Sequence, residues 1–192
     1  MNVVSKGNDG RQCIAPQCTR ARSRTAPARI IKATRRWIGT PYHDQASVRG
    51  VGCDCLGLLR GVWREFVGPE PMGLTGPVPP YSRDWGEIGP VEVLAEAARA
   101  AMIELDVADA STGDVILFRM RPGAIAKHCG VLSGRGCDGR THRSGRTDRS
   151  GRSRKFIHAY ERTGVIEEPL TAAWQRRLAY AFRFPDPVKR KT

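Results

Sequence analysis

The chain has 192 residues, of which 40% are hydrophobic and 27% are charged, so it can bury the core of one ordinary domain and is not disordered throughout. No apolar run approaches the roughly 18–20 residues of a transmembrane helix, which argues against a membrane-spanning protein. No uninterrupted apolar segment follows the first basic residues, so we also expect no secretory signal peptide.

The formal net charge of +13 is concentrated in three segments. Residues 1–32 contain seven Lys or Arg against one Asp, and residues 133–155 contain eight against two. Residues 186–192 add a net charge of +2, which leaves the other 130 residues at −1. Because a nucleic-acid-binding domain presents its basic residues on one face of a folded module, this distribution argues against a specific nucleic-acid partner.

The first part of the folded chain is predicted to be helical. Residues 1–26 show no hydrophobic periodicity and are expected to form a disordered basic leader. Apolar residues at helical spacing predict a first helix from Pro27, with Gly39 as its C-terminal cap. Residues 39–52 have the composition of a loop, and helical spacing resumes from Asp54.

The rest of the chain is predicted to change from helix to sheet. Six prolines predict an irregular excursion over residues 67–90, and an Ala-rich helix is expected over residues 91–104. Helices followed by strands indicate an α+β domain with an antiparallel sheet, which we place at residues 27–185. We expect a flexible Gly-, Ser- and Arg-rich insertion at 133–155 and a basic tail at 186–192. The predicted strands cover residues 114–118, 128–132, 156–160 and 178–184, with a short additional strand at 164–167 and a helical turn at 170–175.

Cys55 is the candidate nucleophile of this sequence. The six cysteines form no CxxC pair, so we expect free thiols and no structural zinc site. Cys55 follows Asp54 at a predicted helix start, where backbone N–H groups and the helix dipole favour a thiolate and can stabilise an oxyanion. Gly57 would allow another segment to approach this helix start closely. The alternative is a buried, inert cysteine, and Cys53 is the less suitable nucleophile because it precedes the helix.

Two of the four histidines lie in predicted strands, where they can serve Cys55. If the strands of His128 and His158 are neighbours, the two imidazoles lie close together. His128 can then take the proton of Cys55, while His158 binds the other ring nitrogen and fixes the tautomer. The alternative is that each is a packed strand histidine. His43, in the loop before the second helix, is interpreted as a solvated loop residue.

Cys55, His128 and a third polar residue follow one another in the papain-like order, and five motifs accompany them. They are WIGTPY at 37–42, GVGCDCLGL at 50–58, TGDVILF at 112–118, HCGVL at 128–132 and IHAYE at 157–161. Together they resemble the NlpC family of papain-like cell-wall cysteine peptidases, and most closely its members encoded with phage tails and gene transfer agents. The resemblance covers about residues 28–185 and implies a papain-like fold in which N-terminal helices pack on an antiparallel β-sheet.

The resemblance also implies an activity and the residues that carry it. The expected reaction is hydrolysis of an amide in the peptide stem of peptidoglycan, at the bond between the side-chain carboxyl of D-glutamate and a diamino acid. The resemblance implies no metal or organic cofactor. The expected site comprises Cys55 as nucleophile, His128 as general base and His158 as the third polar residue, with Tyr42 beside the nucleophile and substrate and Asp54 toward a substrate amine.

A setting follows from the same resemblance, and two alternatives stay open. A phage-tail member without a signal peptide is made in the cytoplasm and acts at the cell wall after assembly into a phage-like tail particle. The expected partners are therefore the peptidoglycan stem peptide and phage-like tail proteins.

One alternative is a catalytically inactive structural or wall-binding tail-tip module, against which the presence of Cys55, His128 and His158 argues. The other is an amidase or acyltransferase built on the same fold.

Overall fold

The computed structural model describes residues 25–71, 91–134 and 154–187. The leader before residue 25, most of the predicted Pro-rich excursion, most of the basic insertion and the last five residues lie outside this described part. Within the three described ranges, no helix is long and apolar enough to cross a membrane.

Three helices precede most of the sheet. They are α1 (Thr25–Arg35), α2 (Cys55–Phe66) and α3 (Val93–Ala101). Helix α1 begins two residues before the boundary predicted at Pro27, and the turn that follows it ends at Gly39, whose φ of 87° is a conformation that glycine adopts readily. Helix α2 begins directly after Asp54, as predicted.

The main sheet has six strands, and all its pairings are antiparallel. This confirms the α+β class. A small hairpin precedes α2 in the segment predicted as a loop, with strands β1 (Ser47–Val48) and β2 (Gly52–Cys53). From one edge to the other, the strands of the main sheet are β3 (Ile103–Leu105), β8 (Leu178–Arg183), β4 (Val115–Arg119), β5 (Ala126–Leu132), β6 (Lys155–Tyr160) and β7 (Gly164–Pro169).

The predicted strands differ from the observed ones by one or two residues at several ends, and two differences at the edges of the sheet have a clear cause. The last residues of the predicted third helix form the edge strand β3 instead, because Ile103 and its neighbours pair with β8 and obtain their backbone hydrogen bonds there. Strand β7 extends to Pro169, two residues beyond the predicted strand, because β6 pairs with it along its whole length. The helical turn predicted at 170–175 is present as α4 (Ala172–Gln175).

The two faces of the main sheet have different coverings. One face packs against α1, α2 and α3, and its buried side chains include Val131 and Ile157 with Leu58 of α2. The other face holds a second buried cluster, which includes Phe118 and Phe156. Adjacent residues of one strand point to opposite faces, so β5 and β6 each contribute to both clusters.

Candidate active site

Cys55 is the first residue of helix α2, and Asp54 caps this helix end. The Asp54 carboxylate accepts a hydrogen bond from the Gly57 backbone N–H (2.6 Å) and a second from the Gln45 backbone N–H (2.8 Å). An oxygen-bearing side chain at this position satisfies N–H groups that have no acceptor within the helix. Asp54 therefore fixes both the helix start and the loop that covers it.

The loop before α2 passes very close to the helix start at Gly57. A Cβ atom at this position would lie 1.8 Å from the Ala46 carbonyl oxygen, so only glycine fits without a backbone shift. This confirms the close approach that the sequence predicted for Gly57. The consequence is that residues of the 43–54 loop and the first turn of α2 form one unit around Cys55.

The thiol of Cys55 faces strand β5. Its sulfur lies 4.0 Å from the Lys127 carbonyl oxygen. A hydrogen bond from the Cys129 side chain, and then a hydrogen bond and the charge of His128, lower the pKa of Cys55 well below the usual range of a thiol, while burial opposes them. The same hydrogen bond is the first cause that raises the pKa of Cys129. This thiol therefore keeps its proton and donates a hydrogen bond to Cys55. The environment therefore favours a thiolate at Cys55.

His128 and His158 lie on the same face of the sheet, as predicted. Strands β5 and β6 are neighbours that pair at Val131 with Ile157 and at Leu132 with Phe156. His128 Nε2 lies 2.7 Å from His158 Nδ1, which is hydrogen-bond distance. His128 Nδ1 remains as the ring nitrogen available to Cys55. The structure thus brings together the three residues Cys55, His128 and His158.

The two histidines are enclosed by aromatic rings. His158 is 0% exposed and His128 is 7% exposed. The ring of Trp174 in α4 stacks on the His128 ring with a centroid distance of 5.7 Å. The centroids of the Phe156 and His158 rings are 4.4 Å apart. Burial first, and the charge of His128 second, lower the pKa of His158 to about 3. His158 is therefore neutral at physiological pH and can donate from only one ring nitrogen.

Tyr42 and Asp54, which the resemblance assigns to substrate contacts, both lie beside the nucleophile. The Tyr42 hydroxyl donates a hydrogen bond to Asp44 (3.0 Å), and burial, this bond and the charge of Cys55 raise the pKa of Tyr42. Asp54 is 3% exposed, and its carboxylate accepts the hydrogen bond that caps α2 and the one that fixes the loop before it. The geometry gives Asp54 a structural role, and its contact with a substrate amine stays a prediction, as does that of Tyr42.

The residues that the sequence reasoning set aside lie in other environments. Cys53 is buried in β2, where burial, and then the charges of Asp54 and Cys55, raise its pKa to about 12. Such a thiol is protonated at neutral pH, so Cys53 is not suited to nucleophilic attack. His43 is exposed in the loop. Asp114, directly before β4, is fully buried and accepts hydrogen bonds from Ser111 and from the Arg183 guanidinium.

Sequence reasoning missed three residues around the site. They are Glu168, whose Oε1 lies 2.8 Å from His158 Nε2, Cys129, which contacts Cys55, and Trp174, which covers the histidines. The period-two pattern of HCGVL indicates that Cys129 and His128 point to opposite faces, but it carries no sign that the helix start meets both. In the part of the chain that the structure describes, no group of three or more His, Cys, Asp or Glu side chains has an arrangement that could hold a metal ion.

Comparison with known proteins identifies the fold. No family model and no curated protein matches the sequence. Among solved structures, an NlpC/P60 family protein from Bacillus cereus aligns with a TM-score of 0.52 at 19% identity, over 82% of this chain and 40% of that one. The NlpC/p60 domain of the peptidoglycan hydrolase SagA aligns with a TM-score of 0.51 at 20% identity, over 82% of this chain and 98% of that domain.

A third solved structure gives the same result. A protein of the NLP/P60 family from Staphylococcus aureus aligns with a TM-score of 0.50 at 18% identity, over 90% of this chain and 44% of that one. This chain therefore spans less than half the length of the Bacillus and Staphylococcus proteins. At these identities the likeness concerns the fold. The structural neighbours of this chain are NlpC/P60 proteins, and its fold is the papain-like α+β fold that they share.

Proposed function

We propose that this protein is a cysteine peptidase that hydrolyses an amide bond in the peptide stem of peptidoglycan. The observation that carries the proposal is the position of Cys55, at a helix start and in hydrogen-bond contact with His128, whose other ring nitrogen meets His158. A lowered thiol pKa beside a positioned imidazole is the arrangement of an activated cysteine nucleophile. The substrate class is supported by SagA, a structural neighbour described as a peptidoglycan hydrolase.

The first half of the reaction is acyl transfer to the cysteine. The Cys55 thiolate attacks the carbonyl carbon of the amide, and the C=O π electrons move to the oxygen to give a tetrahedral oxyanion. The first-turn backbone N–H groups of α2 and the positive end of its dipole stabilise this charge. Protonated His128 then donates its proton to the leaving nitrogen, the C–N bond breaks, and a thioester with Cys55 remains.

The second half of the reaction releases the acyl group. Neutral His128 accepts a proton from a water molecule as that water attacks the thioester carbonyl. The C–S bond breaks, the carboxyl product leaves, and the proton on His128 restores the thiolate–imidazolium pair. His128 therefore alternates between acid and base, and its ring must keep one orientation throughout both halves.

The finer specificity that we propose is the bond between the side-chain carboxyl of D-glutamate and a diamino acid such as meso-diaminopimelate. This part of the proposal is supported by the motifs at 37–42, 50–58 and 128–132, which resemble those of the NlpC family. The acyl group held as the thioester would then be the γ-glutamyl group, and the leaving amine would be the α-amino group of the diamino acid.

The setting that we propose is a phage-like tail or gene transfer agent particle, in which the protein reaches the cell wall after synthesis in the cytoplasm. It is supported by the resemblance of the five motifs to the phage-tail members of the family. Mass spectrometry of particles purified on a density gradient should find the protein in the particle fraction. Recovery only from particle-free fractions would contradict this setting.

Digestion of purified sacculi and of a defined stem peptide, with mass spectrometry of the products, tests the activity. The wild-type protein should release a fragment that ends in D-glutamate and a fragment that begins with the free diamino acid. Cys55→Ala should release neither, and the matched control Cys53→Ala should retain activity, because Cys53 is a buried, protonated thiol two residues away. Cleavage by Cys55→Ala equal to that of the wild type would overturn the proposal.

A further inference from the structure

A carboxylate on a third strand makes a hydrogen bond to one of the two paired histidines. Glu168 of β7 contacts His158 of β6 at 2.8 Å, and His158 contacts His128 of β5 at 2.7 Å. In the register of β6 and β7, Phe156 is opposite Glu168 and His158 is opposite Ile166. Glu168 and His158 are therefore diagonal neighbours on one face of the sheet, within reach of long side chains. The three side chains form one line of hydrogen bonds that ends at Cys55.

The order of these contacts determines where the protons lie. The Glu168 carboxylate only accepts hydrogen bonds, so His158 Nε2 must carry the proton that it receives. Because His158 is neutral, its Nδ1 then has a lone pair and accepts from His128 Nε2–H. In neutral His128 this leaves the lone pair on Nδ1, the ring nitrogen that His158 does not contact. One carboxylate thus selects the tautomers of both rings.

Because the two rings are buried, their tautomers are set by hydrogen bonds to protein groups and not by water. His158 has no exposed surface, and the ring of Trp174 stands edge-on to it at 5.3 Å. Among the residues that the structure describes, the titratable groups that face His158 are His128 from β5, Tyr160 from its own strand and Glu168 from β7. Glu168 is 31% exposed and connects the buried rings to the surface of the molecule.

We infer that Glu168 is a positioning residue of the proposed peptidase, which holds His158 and through it His128 in the tautomer that presents Nδ1 to Cys55. This inference rests on the proposed function and adds a fourth residue to its site. Glu168 does not touch the reacting atoms. Its effect is to keep His128 ready to accept and return a proton at one nitrogen, as an orienting carboxylate does in other nucleophile–histidine sites.

Glu167 provides a matched control on the same strand. Adjacent strand residues point to opposite faces, and the Glu167 carboxylate pairs with the Arg35 guanidinium of α1 at 2.8 Å. Glu167→Ala and Glu168→Ala remove the same group one residue apart. For Glu168→Ala we expect kcat on the defined stem peptide to fall about 10- to 100-fold with little change in KM. For Glu167→Ala we expect kcat to stay within about 3-fold of the wild type, because the Glu167 carboxylate pairs with Arg35 on the other face of the sheet.

A second measurement needs no substrate. Long-range 1H–15N spectra of the ¹⁵N-histidine-labelled full chain report which nitrogen of each ring carries the proton. The wild type should have His158 protonated at Nε2, and Glu168→Ala should lose this single tautomer while Glu167→Ala keeps it. If wild-type His158 is protonated at Nδ1 instead, or if Glu168→Ala retains both the tautomer and kcat, the inference is overturned. A wild type that cleaves no stem peptide refutes the proposed function and leaves the tautomer result to decide this inference.

Discussion

Cys53 and Cys55 are two residues apart in the chain, yet their surroundings shift the pKa values of the two thiols in opposite directions. Cys53 lies in β2, fully buried, and its pKa is raised to about 12 by burial and by the neighbouring charges of Asp54 and Cys55. Cys55 begins α2, is partly exposed, and has its pKa lowered by contacts with Cys129 and His128. Cysteines this close in sequence therefore acquire opposite reactivity when one ends a strand and the other begins a helix.

Removal of the base should have the largest effect on this difference. His128→Ala takes away both the proton acceptor and one of the contacts that lower the pKa of Cys55. We expect kcat on the stem peptide to fall by about 10²–10⁴ or more, which steady-state kinetics would measure. His158→Asn should reduce kcat less, because an amide oxygen can still accept from His128 Nε2–H. A larger loss in His158→Asn than in His128→Ala would reverse the two roles.

The pH dependence of stability should report the neutral state of His158. Its pKa is lowered from 6.5 to about 3, so well above pH 6.5 neither the folded nor the unfolded chain binds this proton. As the pH falls below 6.5 toward 3, only the unfolded chain binds it, and the free energy of unfolding should drop with a slope that approaches about 1.4 kcal/mol per pH unit. Between pH 6.5 and 5.5 the expected drop is about 1 kcal/mol, which urea unfolding at these two pH values measures.

His158→Asn is the control for that slope. The amide does not titrate, so the loss of stability between pH 6.5 and 5.5 should be smaller in this variant than in the wild type, although the variant itself is less stable. Equal slopes in the two proteins would mean that His158 does not carry the pH dependence.

Substitution of Cys129 should have a smaller effect on activity than substitution of either histidine. Cys129→Ala removes the thiol whose hydrogen bond lowers the pKa of Cys55, and it leaves His128 in place. The midpoint of the pH profile for alkylation of Cys55 should therefore move upward, with activity near neutral pH reduced by about 10-fold or less, the equivalent of about one pKa unit. An unchanged midpoint would show that His128 alone sets the thiol pKa.

The sequence was sufficient to predict which residues meet at the site, because the periodicity of a helix and the alternation in strands determine where their side chains lie. Helical spacing from Asp54 locates Cys55 at a helix start, and the alternation in strands β5 and β6 puts His128 and His158 on one face. The structure confirms that these strands are neighbours and that the two rings are in contact. Local patterns were therefore enough wherever the geometry depends on a single strand or helix.

Glu168 and Cys129 could not be predicted in the same way, because their roles depend on contacts between elements. The motif pattern ended β7 at residue 167, and only its full pairing with β6 brings Glu168 to His158. Strand β3 was missed for the same reason, since Ile103 is in a strand only through its pairing with β8. The contact of Cys129 with Cys55 requires the packing of α2 on β5, for which no single stretch of sequence has a signature.

Alkylation of the wild-type protein by iodoacetamide tests the central claim most directly. The modification rates of Cys55 and Cys53 would be followed by mass spectrometry of peptides between pH 5 and 9. We predict that Cys55 reacts first, with a midpoint well below the roughly 8.5 of a free thiol, and that Cys53 stays unmodified in the folded protein. A Cys55 midpoint at or above that of a free thiol, or faster modification of Cys53, would contradict the assignment of Cys55 as an activated nucleophile.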